Sequence, residues 1–93
     1  MATTVTDNPA DKRYEIAVDG ELAGVIMYRL SGEAIAFLHT ETLEGFEGHG
    51  YAGELVRQAL DDVRGRGLAL QPLCPYVSEW IGKHPEYADL VVA

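Results

Sequence analysis

The chain has 93 residues, of which 47% are apolar, and this suits one small globular domain and no more. Acidic residues number 15 against 7 basic ones, and the net charge of −8 argues against a nucleic-acid partner while remaining compatible with a cationic partner such as an amine, or with solubility alone. No apolar run approaches the roughly 20 residues of a membrane span, so we expect no membrane partner. No signal-peptide pattern starts the chain, and a single cysteine cannot form an internal disulfide. Both observations lead us to expect a cytoplasmic protein.

The N-terminal residues differ in composition from the rest of the chain. Residues 1–11 are small and polar and include Pro9. We predict a flexible tail over this range and a single domain over residues 12–93, because no linker or internal repeat divides the remainder.

Three predicted strands form an antiparallel meander after the tail. Arg13–Val18 alternates apolar and polar side chains, and the following Asp-Gly dipeptide is a strong hairpin turn. The partner strand covers residues 22–30, and a Ser-Gly turn separates it from a third strand over Ala34–Thr42.

The third predicted strand carries several polar side chains that are suited to chemistry. Strict alternation predicts that Phe37, His39 and Glu41 face one side of the sheet and that Leu38 and Thr40 face the other.

From residue 50 to about residue 64 the apolar period becomes that of an amphipathic helix. Gly53 lies one turn inside this helix, where it costs up to about 1 kcal/mol relative to Ala. This cost indicates that a ligand or a neighbouring strand passes too close to Gly53 for a side chain. The apolar stripe consists of Ala52, Leu55, Val56, Ala59, Leu60 and Val63.

A short apolar run over residues 68–73 predicts a fourth strand, parallel to the third because a helix connects them. Pro75 begins a short helix whose buried side is Val77, Trp80 and Ile81, and a last helical turn comes after it. The predicted fold class is therefore α/β (α+β), with a three-stranded antiparallel meander, a glycine loop, a central helix, a parallel fourth strand and short C-terminal helices.

The glycine loop, residues 45–53, joins the third strand to the central helix. Its glycines let backbone N–H groups approach a ligand, and the helix N-terminus suits a phosphate. Residues 48–53 match the dinucleotide fingerprint G-x-G-x-x-G. That interpretation fails because the loop follows an antiparallel meander, and because Leu73 and Cys74 stand about 20 residues further on, where an acid is needed. An acyl-CoA loop and a tight turn without a ligand remain as alternatives.

Four short motifs resemble the small, stand-alone family of GCN5-like N-acetyltransferases. They are His39-Thr40-Glu41, residues 47–52 (Glu-Gly-His-Gly-Tyr-Ala), residues 72–77 (Pro-Leu-Cys-Pro-Tyr-Val) and residues 84–87 (His-Pro-Glu-Tyr). The similarity runs from about residue 12 to residue 91, and the last two motifs are more specific than the glycine loop. The resemblance implies a truncated GNAT fold that uses acetyl-CoA, with the pantetheine between the third and fourth strands.

The resemblance also implies that the loop backbone holds the pyrophosphate of acetyl-CoA. The implied contacts are Glu47, Gly48, His49, Gly50, Tyr51 and Ala52. Glu47 departs from the wider superfamily, in which Arg or Gln is usual. Since a carboxylate beside a pyrophosphate is unfavourable unless it points away, only the backbone role carries over to Glu47.

Four side chains are candidates for the chemistry of amine acetylation, which needs a neutral amine and a proton for the departing thiolate. Glu41 and His39 would accept the amine proton, and Tyr76 would protonate the thiolate. Cys74 would accept the acetyl group, line the acyl pocket or only pack as a small apolar residue. The alternatives for Glu41, His39 and Tyr76 are solvated or packing roles.

The expected function is acetyl-CoA-dependent N-acetylation of a small or peptidyl amine. A CoA-binding module without significant catalysis is the main alternative, and a structural interaction domain is a third. The three histidines and the single cysteine lack metal-ligand spacing, so we predict no metal site.

Overall fold

The structure, a computed structural model, describes residues 2–92. The strands are β1 (Thr3–Asn8), β2 (Arg13–Val18), β3 (Glu21–Ser31), β4 (Ala34–Thr42) and β5 (Ala69–Pro72); the helices are α1 (Tyr51–Gly65), α2 (Pro75–Gly82) and a 3₁₀ helix over Pro85–Leu90. The five strands form one sheet in the order β1-β2-β3-β4-β5, antiparallel except for β5, which is parallel to β4. The predicted α+β fold with a parallel last strand is confirmed.

β1 shows that the prediction of a flexible tail over residues 1–11 was wrong for residues 3–8. This strand pairs antiparallel with β2 and lengthens the meander to four strands. Its polar composition was misleading, because an edge strand needs few large apolar residues. The β-branched run from Thr3 to Thr6 favours extended backbone, and Val5 packs against the core. Met1 and Ala93 lie outside the described residues.

A network of hydrogen bonds and ion pairs links β1 to the C-terminal end of α1. The Tyr28 hydroxyl donates to Asp7 at 2.5 Å, and the Tyr14 hydroxyl donates to Asp62 at 2.5 Å. Arg66 donates to Asp7 at 3.1 Å and to Asp62 at 3.4 Å, so it joins the two pairs. Burial, followed by the hydrogen bond to Asp7, raises the pKa of Tyr28 to about 12.

The hydrophobic core lies on the face of the sheet that α1 and α2 cover. α1 buries Leu55, Val56, Ala59, Leu60 and Val63, as the sequence predicts. Fully burying a leucine side chain such as Leu55 contributes roughly 2 kcal/mol. Ala52, at the start of the predicted stripe, is only half-buried, and Tyr51 is buried beside it.

A β-bulge at Leu38 corrects the predicted alternation along β4. Phe37 pairs with Tyr28 and His39 pairs with Met27, so Leu38 is the extra residue. After the bulge, Thr40 lies opposite Ile26, a core residue. Thr40 therefore shares the helix-covered face with Phe37.

The same shift turns His39 and Glu41 to the opposite face. Glu41 pairs with Val25, which is buried but does not belong to the core cluster under the helices. The prediction that Phe37, His39 and Glu41 share one side was wrong, because one inserted residue reverses the alternation beyond it.

Candidate functional site

β4 and β5 separate before β4 ends, which opens a gap in the sheet. Their pairing ends at Phe37 and Pro72, and the N–H of Cys74 makes a last link to the Phe37 carbonyl at 2.8 Å. Within the described part of the chain, residues 39–42 of β4 pair with β3 alone, and Leu38 is the unpaired residue of the bulge. Their other edge offers N–H and C=O groups to an extended ligand.

The glycine loop connects the open end of β4 to α1. Gly48 and Gly50 have φ angles of 80° and 78°, which L side chains rarely adopt. Gly50 is the N-cap of α1, and no side chain caps this helix end. The N–H groups of the first turn therefore face the loop, where an anion would also meet the positive end of the helix dipole.

Glu47 keeps its carboxylate beside the loop backbone. One carboxylate oxygen accepts a hydrogen bond from the N–H of Gly45 at 2.7 Å. A purely backbone role for Glu47 would require its charge to point away from the loop, and in the structure the charge does not do so. The ring of His49 lies 5.4 Å from the ring of Tyr51, so this histidine packs along the start of α1.

Cys74 and Thr40 meet at the point where β4 and β5 separate. The Thr40 hydroxyl and the Cys74 sulfur are 3.3 Å apart, and Cys74 is only 3% exposed. Burial by itself raises the pKa of the thiol, but the Thr40 hydroxyl and the backbone N–H groups of Val77 and Tyr76 outweigh it. The pKa of Cys74 consequently lies below its usual value, so the thiol ionises more readily than that of an ordinary buried cysteine.

Tyr76 lies in the first turn of α2, two residues after the cysteine. Burial raises the pKa of its phenol, and negative charge on Cys74 and Glu79 raises it further. The phenol therefore keeps its proton at neutral pH. Tyr76, Leu38 and Leu73 are exposed by 43%, 37% and 58%, so the segments that border the gap present apolar surface.

The structure divides the predicted catalytic residues into two groups. Cys74 lies at the gap and Tyr76 follows it in the first turn of α2, whereas Glu41 and His39 lie on the face of β4 opposite to Thr40. Among residues 2–92, neither Glu41 nor His39 has a side-chain hydrogen bond or ion pair. These two side chains are therefore separated from the Thr40–Cys74 contact by the backbone of β4.

Thr40 is the site residue that sequence reasoning did not assign a role. Strict alternation placed it away from His39 and Glu41 and gave no reason to pair it with Cys74. Its position within the His39-Thr40-Glu41 motif was the available signal, but the bulge that orients its hydroxyl has no signature in the sequence.

The last family motif has a structural role. The indole of Trp80 and the ring of His84 stack at 3.7 Å, and His84 donates from Nδ1 to the Trp80 carbonyl at 2.8 Å. Tyr87 donates to Asp61 at 2.7 Å, which ties the 3₁₀ helix to α1. The Trp80 indole nitrogen lies 3.5 Å from the position that a Cβ on Gly53 would take, which is an ordinary van der Waals contact. The prediction that a strand passes too close to Gly53 for a side chain was wrong, because the neighbour is helix α2 and it leaves room for a methyl group.

A surface cavity of about 320 Å³ lies between the β2–β3 turn and the glycine loop. It is lined by Val18, Asp19, Glu21, Gly45, Phe46, His49 and Tyr51. Because it includes neither Thr40 nor Cys74 and carries two carboxylates, it does not fit an acyl thioester.

The sheet that opens between β4 and β5, with a glycine loop leading into a central helix, defines a protein of the GNAT class. A family model described as GCN5-related N-acetyl-transferase matches residues 13–90. The chain belongs to this family, and the family and the fold support an acyl-transfer function.

Solved structures show the same fold at low sequence identity. A GCN5-like putative N-acetyltransferase from Staphylococcus aureus has a TM-score of 0.72 at 17% identity, covering 97% of this chain and 88% of that one. A ribosomal-protein-alanine N-acetyltransferase from Brucella melitensis biovar Abortus 2308 has a TM-score of 0.59 at 22% identity, covering 87% of this chain and 61% of that one. No curated protein matches the sequence significantly. Across residues 2–92, no helix has the length and apolar character needed to cross a membrane.

Proposed function

We propose that this chain is an acetyl-CoA-dependent N-acetyltransferase that acts on a small or peptidyl amine. The observation that carries the proposal is the unpaired edge of β4, which runs from the Thr40–Cys74 contact into the glycine loop. The β4 edge offers N–H and C=O groups, and the glycine loop that follows offers N–H groups. An extended ligand with amide groups at one end and a diphosphate at the other could bind along both.

The residues at the gap divide naturally among the parts of acetyl-CoA. Residues 47–52 would hold the diphosphate through backbone N–H groups, and residues 38–42 would hold the amides of the pantetheine through the free strand edge. The cofactor supplies an activated acetyl group as a thioester. The exposed apolar side chains of Leu38 and Leu73 would shield it from water.

Tyr76 is the proposed proton donor to the departing thiolate. Its raised pKa keeps the phenol protonated, and its position in the first turn of α2, two residues after Cys74, supports this role. Glu41 is the proposed acceptor of the amine proton, because its carboxylate is exposed and unpaired within the described part of the chain. His39, which lies two residues before Glu41 on the same face of β4, is the alternative acceptor.

Cys74 has two proposed roles that differ in chemistry. In the first it lines the acyl pocket and its thiol only packs there. In the second its thiolate attacks the acetyl carbon, the bond to the CoA sulfur breaks, and the CoA thiolate takes a proton from Tyr76. The amine then attacks the acetyl-cysteine, and the bond to the Cys74 sulfur breaks to release the thiolate. Glu41 accepts the amine proton and releases it to water, from which the Tyr76 phenolate regains its proton.

A CoA-binding module without significant catalysis is the second candidate. It is favoured by the position of Glu41 and His39, which lie on the face opposite to Thr40 and the thiol. Turnover of acetyl-CoA with a panel of small amines and peptides distinguishes the two candidates. Release of free CoA that depends on an amine supports the transferase, whereas CoA binding without acetylation of any amine supports the module.

A further inference from the structure

The segment that would receive the diphosphate carries negative charge and no permanent positive charge. Residues 30–56, from the end of β3 into α1, contain five glutamates and no Lys or Arg. Diphosphates are usually bound by cationic side chains in addition to backbone N–H groups. Besides the imidazole of His49, residues 47–52 offer a diphosphate mainly their backbone N–H groups.

Glu47 brings one of these charges into the glycine loop itself. Its carboxylate already accepts the Gly45 N–H at 2.7 Å, so it occupies a donor of the loop as an anionic ligand would. A diphosphate bound by the N–H groups of residues 47–52 would lie beside this carboxylate, and the two negative charges would repel each other.

Glu44 provides a matched comparison. It lies three residues before Glu47, is exposed, and has no side-chain hydrogen bond or ion pair among residues 2–92. Removing its charge changes the net charge of the chain by the same amount without touching the loop contact.

We infer that Glu47 is an internal competitor for the diphosphate position and sets the donor specificity of the loop. This inference rests on the proposed function. With Glu47 in place, repulsion offsets part of what the loop backbone gains from a diphosphate, so the chain favours CoA over pantetheine less than the same loop would without this charge. Neutralising Glu47 makes the loop more selective for the diphosphate.

The test is calorimetric titration of CoA and of pantetheine into the intact chain and into Glu47→Gln and Glu44→Gln. At low ionic strength, Glu47→Gln is expected to bind CoA about tenfold more tightly, the effect of removing one charge beside a dianion near water. Its affinity for pantetheine should not change, and Glu44→Gln should gain no more than about twofold for CoA. In about 0.5 M salt the gain should shrink, because screening weakens the repulsion.

A second variant separates the charge from the hydrogen bond. Glutamine can still accept the Gly45 N–H, whereas alanine cannot, so a similar gain in Glu47→Ala assigns the effect to charge. If the parent chain binds CoA and Glu47→Gln gains no more than Glu44→Gln, the inference is wrong while the proposed function stands. If the parent, Glu47→Gln and Glu47→Ala all fail to bind CoA at millimolar concentration, the proposed function fails and the inference fails with it.

Discussion

Replacing Gly53 by alanine tests why α1 contains a glycine so close to its start. A Cβ at this position would lie 3.5 Å from the Trp80 indole nitrogen and 3.9 Å from the Tyr76 hydroxyl, both ordinary van der Waals distances. The added methyl group therefore fits without displacing α2. Alanine also removes the helix cost of glycine, so we expect a gain of up to about 1 kcal/mol in the free energy of unfolding.

Gly24→Ala is the matched control with the opposite expected sign. A Cβ on Gly24 would lie 3.0 Å from the Glu41 carbonyl oxygen and 3.4 Å from a methyl group of Ile16. The first contact is with backbone inside the sheet, which yields less readily than a side chain. We expect a loss of about 1 to 2 kcal/mol, after allowing for the entropy that alanine saves.

Urea unfolding measured by circular dichroism and by the fluorescence of Trp80, the single tryptophan, gives both values. In thermal unfolding, a gain of 1 kcal/mol corresponds to about 4 to 8 °C in Tm for a domain of this size. The CoA affinity of Gly53→Ala should stay within about twofold of the parent, because α2 and not the ligand is its neighbour. A Gly53→Ala variant of unchanged or greater stability that no longer binds CoA would refute this explanation and assign Gly53 to ligand approach.

The loop, the thiol and the tyrosine network each carry a further prediction. Gly50→Val should destabilise the chain by about 1 to 2 kcal/mol and weaken CoA binding, because φ is 78° at this position. Gly50→Asn should have smaller effects on both stability and CoA affinity, because asparagine tolerates positive φ better. Unchanged CoA affinity in both variants would remove the loop from the proposed site. If Cys74 accepts the acetyl group, mass spectrometry after incubation with acetyl-CoA should show one acetyl group on Cys74, and Cys74→Ala should lose turnover; full activity in Cys74→Ala would leave only the lining role. Tyr28 holds its proton more tightly in the folded chain, so its contribution to stability is complete below pH 10 and is lost as the pH rises towards 12. The difference in tyrosinate absorbance between the parent chain and Tyr28→Phe should therefore show Tyr28 ionising together with the loss of circular dichroism in that range. A Tyr28 signal that appears near pH 10 without loss of structure would contradict the network.

The order of elements was predictable from sequence because each has a strong local period. The stripe from Leu55 to Val63 predicts α1, and the hairpin turns predict the central meander. β1 was not predictable from composition, because its stability comes from pairing with β2 and from Asp7, whose partners Tyr28 and Arg66 are distant in sequence.

The site was predictable only in part, for a related reason. Motif similarity predicts site roles for Cys74, Tyr76 and the glycine loop. The bulge at Leu38 depends on the register between β3 and β4, and no local pattern encodes it. That single residue decides that Thr40, and not Glu41, faces the thiol.

The most direct test of the proposed site is a titration of the isotopically labelled chain with CoA, monitored through backbone amide shifts in NMR spectra. We predict that the largest shifts fall on residues 38–42, on residues 47–52 and on Cys74. Shifts confined to the β2–β3 turn around Asp19 and Glu21, or no shifts at millimolar CoA, would contradict the central claim that the open edge of β4 and the glycine loop form one acyl-CoA site.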